Sequence, residues 1–341
     1  MKRYAMCILA GMMALTAFAQ APDPAAQGLS AEVATHGWLA YSARTDAGDW
    51  DLFVCRPNGE GIRNITNSPD TEEAAPRFSP DGKKLLYRQF AKGTEINHDQ
   101  WGFQGIAIVA DANGTNPVAL GGDGEFPWAS WMPDGKQVVC LAKSGILIYD
   151  LATKQQVKKL SRAGIYQQLF VSPDGQWFTG TGNFQGTTWT VVRLNANTGE
   201  LNAVRINQNC TPDWAPDSKQ IIFSSRPADQ TSNKGYGYTQ LWIADGDGNN
   251  AKLLFGEDGF HIYGGTVSPD GKYVLFTKSP RDGGASEKGG APIFLMRLSD
   301  APIIQGDSPD LRKVHPTTNA GPVVALPVGW EPTWTLNEIG F

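Results

Sequence analysis

The chain has 341 residues, among them 39 glycines and 22 prolines, with 10 % aromatic and 18 % charged residues. Gly and Pro together exceed the usual share of roughly 12 %; the aromatic content excludes a disordered chain, and Gly is absent from every third position, which excludes a collagen. The formal net charge of −5 gives no basic face for a nucleic-acid partner.

In chain order, residues 1–19 read as a secretory signal. Lys2 and Arg3 precede an apolar run from Cys7 to Phe18, and Ala17-Phe18-Ala19 offers a small-x-small cleavage site. The run is too short for a membrane span. Cys7 opens it rather than ending it, which does not suit a lipid-anchored cysteine. The expectation is a periplasmic or secreted protein with no membrane span after cleavage. Residues 20–36 read as a short linker and 37–341 as one domain. Cys55, Cys140 and Cys210 remain, none of them in a CxxC pair, and are expected to be free thiols acting as small hydrophobes.

One pattern then recurs. Ser79-Pro80-Asp81-Gly82, Met132-Pro133-Asp134-Gly135, Ser172-Pro173-Asp174-Gly175, Ala215-Pro216-Asp217-Ser218 and Ser268-Pro269-Asp270-Gly271 each stand between short apolar runs. Pro pre-sets φ, Asp bonds its own backbone and Gly takes the left-handed position, so each copy is a hairpin turn. The recurring Asp is therefore a turn residue and not a metal ligand. A second hairpin follows each copy, as in Leu52–Ile65, Ile106–Leu120, Ile146–Val157, Val191–Val204 and Leu241–Leu254. Four strands, A to D, in roughly 40 to 53 residues make one propeller blade. Asp245–Asn249 opens like a calcium loop, but Asn250 stands at position six and Gly256 at position twelve. It reads as another turn, and no metal or cofactor is expected.

The ends complete the count. Trp38–Ser42 looks like a B strand without an A strand before it, and Glu331–Thr335 matches the A strand Pro212–Ala215. The fold expected is all-β: a six-bladed β-propeller of four-stranded antiparallel blades, closed by N-terminal strands B–D pairing with a C-terminal strand A. In blade five the best D strand is Val323–Leu326, which makes 299–320 an insertion with a short helix near Leu311. Trp131, Trp214 and Trp334 share one repeat position and are expected to be wedges in the core.

These repeats resemble the PD40 (WD40-like) family of TolB-like propellers over residues 37–341. The resemblance implies a six-bladed periplasmic propeller. The α/β domain that precedes the propeller of TolB would have only residues 20–36 in its place. There is no Gly-x-Ser-x-Gly elbow for a hydrolase.

The regular A–B and C–D turns leave the opposite rim, with its long D–A and B–C loops, as the expected place of binding. The candidates there are Asn97, His98, Asp99 and Trp101, then Glu125 and Trp128, Tyr236 and Tyr238, His261 and Tyr263, Arg281 and Asp282, and Trp330 and Glu331. Aromatics among polar groups suit a protein or glycan ligand. The expected function is a non-enzymatic, monomeric binding module for an envelope protein or polysaccharide. Its alternative is a polysaccharide-acting lyase or hydrolase using His98, His261 and a nearby acid.

Overall fold

The computed structural model describes residues 23–96, 104–206, 209–226, 239–257, 259–280, 290–301 and 321–341. Helix α1 (Pro24–Val33) comes first, followed by β1 (Trp38–Arg44), β2 (Trp50–Cys55) and β3 (Arg63–Asn64). Blade one holds β4 (Thr71–Phe78), β5 (Lys84–Ala91), β6 (Ile106–Asp111) and β7 (Val118–Ala119). Blade two holds β8 (Ser130–Trp131), β9 (Gln137–Ala142), β10 (Gly145–Asp150) and β11 (Gln155–Leu160). Blade three holds β12 (Ile165–Val171), β13 (Trp177–Phe184), β14 (Thr187–Asn195) and β15 (Leu201–Arg205). Blade four holds β16 (Asn209–Trp214), β17 (Gln220–Ser225), β18 (Gln240–Asp245) and β19 (Lys252–Phe255). The last strands are β20 (Phe260–Val267), β21 (Tyr273–Pro280), β22 (Ala291–Arg297) and β23 (Val323–Thr335).

Four sheets are separate four-stranded blades. The fifth is seven-stranded, in the order β20-β21-β22-β23-β1-β2-β3, and supplies two blades that share β23. The first part of β23 pairs with β22, from Val323 opposite Met296 to Gly329 opposite Ala291. The second part pairs with β1, from Trp330 opposite Ser42 to Thr335 opposite Trp38. Thus β23 is the outer strand of blade five and the inner strand of blade six, with no loop between them. The described strands form six blades, and the two ends of the chain close the ring as the sequence predicts. Closure gives β1 a partner in β23, so it is not left as a free edge.

The turns follow the motif chemistry. The Ser79 hydroxyl donates to Asp81 at 2.6 Å, the Lys83 amide donates to the same carboxylate at 3.1 Å, and Gly82 sits at φ +65°. The equivalent Ser–Asp bonds at Ser172 and Ser268 are also 2.6 Å. The C–D turns serve a second purpose, because they abut the preceding blade. A Cβ on Gly114 or Gly248 would fall 2.0 Å from the carbonyl oxygen of Ile65 or Val204. Both glycines also have φ +84°. Gly248→Ala is therefore expected to cost more than the roughly 1 kcal/mol scale of ordinary Gly→Ala effects, read as a lower urea midpoint.

Packing lies between blades. Trp131, Trp214 and Trp334 are each 6 % exposed and wedge against neighbouring blades; the Trp131 indole donates to the Arg77 carbonyl at 2.9 Å and that of Trp334 to the His36 carbonyl at 2.7 Å. Cys55 and Cys140 are fully buried, and burial pushes both thiols up to about 12.

Within the segment read as a linker, α1 forms and docks. Asp23 caps it through the Ala25 amide, Pro24 suits its first turn, and Leu29 and Val33 share one face. Both are buried with Tyr273, Val324 and Trp334 at the seam between blades five and six. The edge of this docked face is held by Glu32, which pairs with Arg297 and accepts from the Tyr273 hydroxyl at 2.6 Å. The Arg297 bond, then that of Tyr273, lowers Glu32 to about 2. This stabilisation is present above the ordinary carboxylate range and is lost as pH falls towards 2. Arg297→Ala is expected to loosen α1 by less than about 1 kcal/mol, because the pair is partly solvated; the check is proteolysis within residues 24–36, which should rise with salt in the parent and not in the variant. The C-terminal residues act likewise at the next seam, where Arg56 pairs with Glu338 at 2.7 Å, Asn337 donates to the Asp81 carbonyl at 2.7 Å and Ile339 is buried. Residues 298–300 form a 3-10 turn after β22; the helix read near Leu311 lies outside the described residues.

Candidate functional site

Each inner strand, or in blade two the segment leading into it, carries one residue in the left-handed region. They are Ala75, Trp128, Gln168, Thr211 and Glu331, with φ between 47° and 60°, and Gly264 at φ +62°. In the five motif repeats this residue stands five positions before the motif proline. It breaks the ladder register in β4, β12, β16 and β20, which marks a bulge. The bulges make a ring around the propeller axis. Their amides are satisfied across seams: Ala75 donates to Ser42 Oγ at 3.1 Å, Thr211 to Gln168 Oε1 at 3.0 Å and Gly264 to Thr211 Oγ1 at 3.4 Å. Blade-to-blade bonding thus supports a backbone conformation that is uncommon for non-glycine residues.

Two positions later the chain heads for the A–B turns, and a second ring forms. It comprises Arg77, Ser130, Phe170, Asp213, Thr266 and Thr333, one from each blade. All but Ser130 line a cavity of about 60 Å³, together with Tyr263, Trp330 and Glu331. That is room for a few water molecules.

Charge concentrates here. Arg77 pairs with Glu331 at 2.7 Å and lies 5.0 Å above the Phe170 ring. Asp213 accepts from the Thr266 hydroxyl at 2.7 Å and from the amide of Trp214 at 2.8 Å. Burial pushes the Asp213 carboxyl up; the Thr266 bond and the Arg77 charge act against that. Asp213 lines the same cavity. The arrangement presents one guanidinium and two carboxylates against aromatic walls, a surface that recognises polar groups.

The rim candidates divide. Glu125 is exposed and its Oε2 accepts from the Gly122 amide at 2.9 Å, capping its own loop. Trp128, His261, Tyr263 and Trp330 are 7 %, 4 %, 2 % and 1 % exposed, so they are wall and not rim. His261 Nδ1 lies 2.7 Å from Thr239 Oγ1, and its ring packs 4.5 Å from that of Tyr263. Tyr263 in turn packs 5.4 Å from Trp330. The physical reason is the register of the inner strands, which turns Trp128, Tyr263 and Trp330 inward among Trp50, Phe90 and Ile96. Glu331 enters the cavity. Asn97, His98, Asp99, Trp101, Tyr236, Tyr238, Arg281 and Asp282 lie outside the described residues.

Sequence reasoning missed Arg77, Phe170 and Asp213. The signal was available, because each stands three residues before a motif proline. The same offset that marks the turn also marks the mouth of the axis. Among the described residues no group of three or more His, Cys, Asp or Glu side chains could hold a metal ion, and no helix is long and apolar enough to cross a membrane.

No family model and no curated protein matches the chain. Among solved structures, TolB from Acinetobacter baumannii superposes with a TM-score of 0.57 at 19 % identity, covering 88 % of this chain and 67 % of that one. A TolB candidate from Agrobacterium tumefaciens gives 0.50 at 16 % identity, covering 86 % and 98 %. A chain of a nidogen/laminin complex gives 0.54 at 11 % identity, covering 86 % and 99 %. At such identities the likeness concerns the fold: the chain is a β-propeller of the same fold as TolB.

Proposed function

We propose that this chain is an exported, non-catalytic propeller of the PD40, TolB-like kind that binds a partner protein. The partner presents a polar side chain to the mouth framed by Arg77, Phe170 and Asp213. The observation that carries this reading is the Arg77–Glu331–Asp213 cluster, held in a part-solvated cavity on the axis that is lined from five of the six blades. A protein suits the site better than a glycan. The axial rings of Trp128, Tyr263 and Trp330 are buried and offer no open face on which a sugar could stack. Export rests on the basic and apolar pattern of residues 1–19, and is checked by whether the protein recovered from the periplasm or medium begins at Gln20.

The binding test uses the mature protein as bait against envelope extract, with a photo-crosslinker placed at Thr333. A specific protein adduct is expected. Arg77→Ala with Asp213→Asn should reduce it at least tenfold, about 1.4 kcal/mol of binding energy, with the fold checked by circular dichroism. An undiminished adduct in a folded double variant would remove the mouth from the reading. An adduct that survives there but disappears on replacing Trp101 and Tyr238 would return the contact to the long-loop rim.

A further inference from the structure

The seam between blade six and blade one differs in its two halves. Near the A–B turns it is apolar, with Trp38, Leu52, Val54, Phe78 and Leu85 in one cluster. Near the other rim it is polar and buried. There Glu72 accepts from the Trp50 amide at 2.5 Å and from the Gly93 amide at 2.9 Å. One residue along each strand, Asp51 of β2 and Glu73 of β4 bring their carboxyl groups together, and they are 1 % and 0 % exposed.

Counting donors assigns the proton. Asp51 accepts from Asn64 Nδ2 at 2.5 Å, from Thr66 Oγ1 at 3.0 Å and from the Ser68 amide at 3.0 Å. Both of its oxygens are therefore served as a carboxylate's. Glu73 Oε1 accepts from Thr71 Oγ1 at 2.5 Å and from Gln89 Nε2 at 3.1 Å. Glu73 Oε2 is buried with no donor among the described residues. The surrounding charged and titratable groups do not supply one. Asp49 and Glu72 are anionic neighbours, and Lys92 reaches those two at 3.8 and 3.9 Å. Tyr87, Arg88 and Arg44 lie on the flanking strands β5 and β1, and Glu331 is engaged by Arg77. An ionised Glu73 would place a second negative charge against Asp51 in a dry site, which is costly. A protonated Glu73 donates from Oε2 to Asp51 and leaves no oxygen of either carboxyl group unserved.

We propose that Asp51 and Glu73 share a single proton and form a pH-sensitive latch on the seam between blade six and blade one. With the proton in place, the polar half of the seam is closed. When it leaves to solvent, two adjacent carboxylates face each other and β4 separates from β2 at the long-loop end. Burial pushes the Glu73 carboxyl up to about 7; the Thr71 and Gln89 bonds act the other way, and the bond to Asp51 and the Asp51 charge add smaller upward pushes. The latch is thus fully formed below the ordinary carboxylate value of 4.5 and is lost as pH rises through about 7.

The test compares the mature protein with Glu73→Gln. The Gln amide can donate to Asp51 at every pH, while its carbonyl keeps Thr71 and Gln89. Melting temperatures are measured from about pH 5 to pH 8. The two proteins should melt together at the acidic end, with the parent falling several degrees below the variant at the basic end. Hydrogen exchange of peptides covering β2 and β4, corrected for its intrinsic pH dependence, should speed up about tenfold or more over that range in the parent only. Parallel melting curves would overturn the proposal. Should Glu73→Gln fail to fold, an infrared titration of the parent decides. A buried protonated-carboxyl band that disappears around neutral pH supports the shared proton; no such band overturns it. Melting raised by calcium in the parent and not in the variant would make the pair a cation site, and would also overturn it.

Discussion

Trp330→Ala is expected to lower the free energy of unfolding by about 3–5 kcal/mol, the range for emptying a buried Trp site. Trp330 is 1 % exposed and starts the part of β23 that pairs with β1. Its ring lies against Tyr263 in the axial cluster with Trp50, Trp128 and Phe90. Truncation therefore opens a cavity at the point where four blades meet and where the ring is closed. Collapse into that cavity is restricted, because the backbone beside it is closely packed: a Cβ on Gly329 would fall 2.5 Å from the Tyr41 ring. The measurement is equilibrium denaturation in urea. Trp189→Ala is the control: Trp189 is 38 % exposed on the β13–β14 hairpin, and its loss should stay within about 0.5 kcal/mol. Equal losses for the two would mean that the axial cluster does not hold the ring.

Arg77→Met is expected to destabilise by about 2 kcal/mol, less than the 3–5 kcal/mol for breaking a fully buried pair, because cavity water still reaches both partners. Glu331 then faces a cavity with no cation at 2.7 Å. Asp213 loses the charge that held its carboxyl down and is pushed further up. The sign follows from linkage. A carboxyl raised in the folded state favours folding at acidic pH and disfavours it once ionised. The deficit of Arg77→Met should therefore grow from acidic to neutral pH, and melting curves at the two ends check it. A pH-independent deficit would assign the loss to packing against Phe170 instead.

The extent to which the sequence spoke differs between these residues. The turn motif was legible because its chemistry is local: Pro, Asp and Gly set φ and ψ within four residues, whatever surrounds them. Blade number followed, since an orphan B strand and an orphan A strand can complete only each other. The mouth residues Arg77, Phe170 and Asp213 were legible in principle, at a fixed offset from each motif proline. Loop length points away from them, because long loops are the usual place for binding and regular turns read as scaffold. The burial of Trp128, His261, Tyr263 and Trp330 was not legible. A bulge at the left-handed residue decides which way such a ring points, and non-glycine residues give no local sign that they will adopt it.

The excess of Gly and Pro, read as periodic punctuation, determined a closed propeller and the pairing of its ends. Tertiary structure alone decided which charges meet. Arg77 and Glu331 are 254 positions apart, and only ring closure sets them side by side. Asp51 and Glu73 come from different blades, and their shared site exists only where blade six packs on blade one. Turn conformation depends on neighbours along the chain, whereas a carboxylate's partners and hydration depend on what the finished ring brings against it.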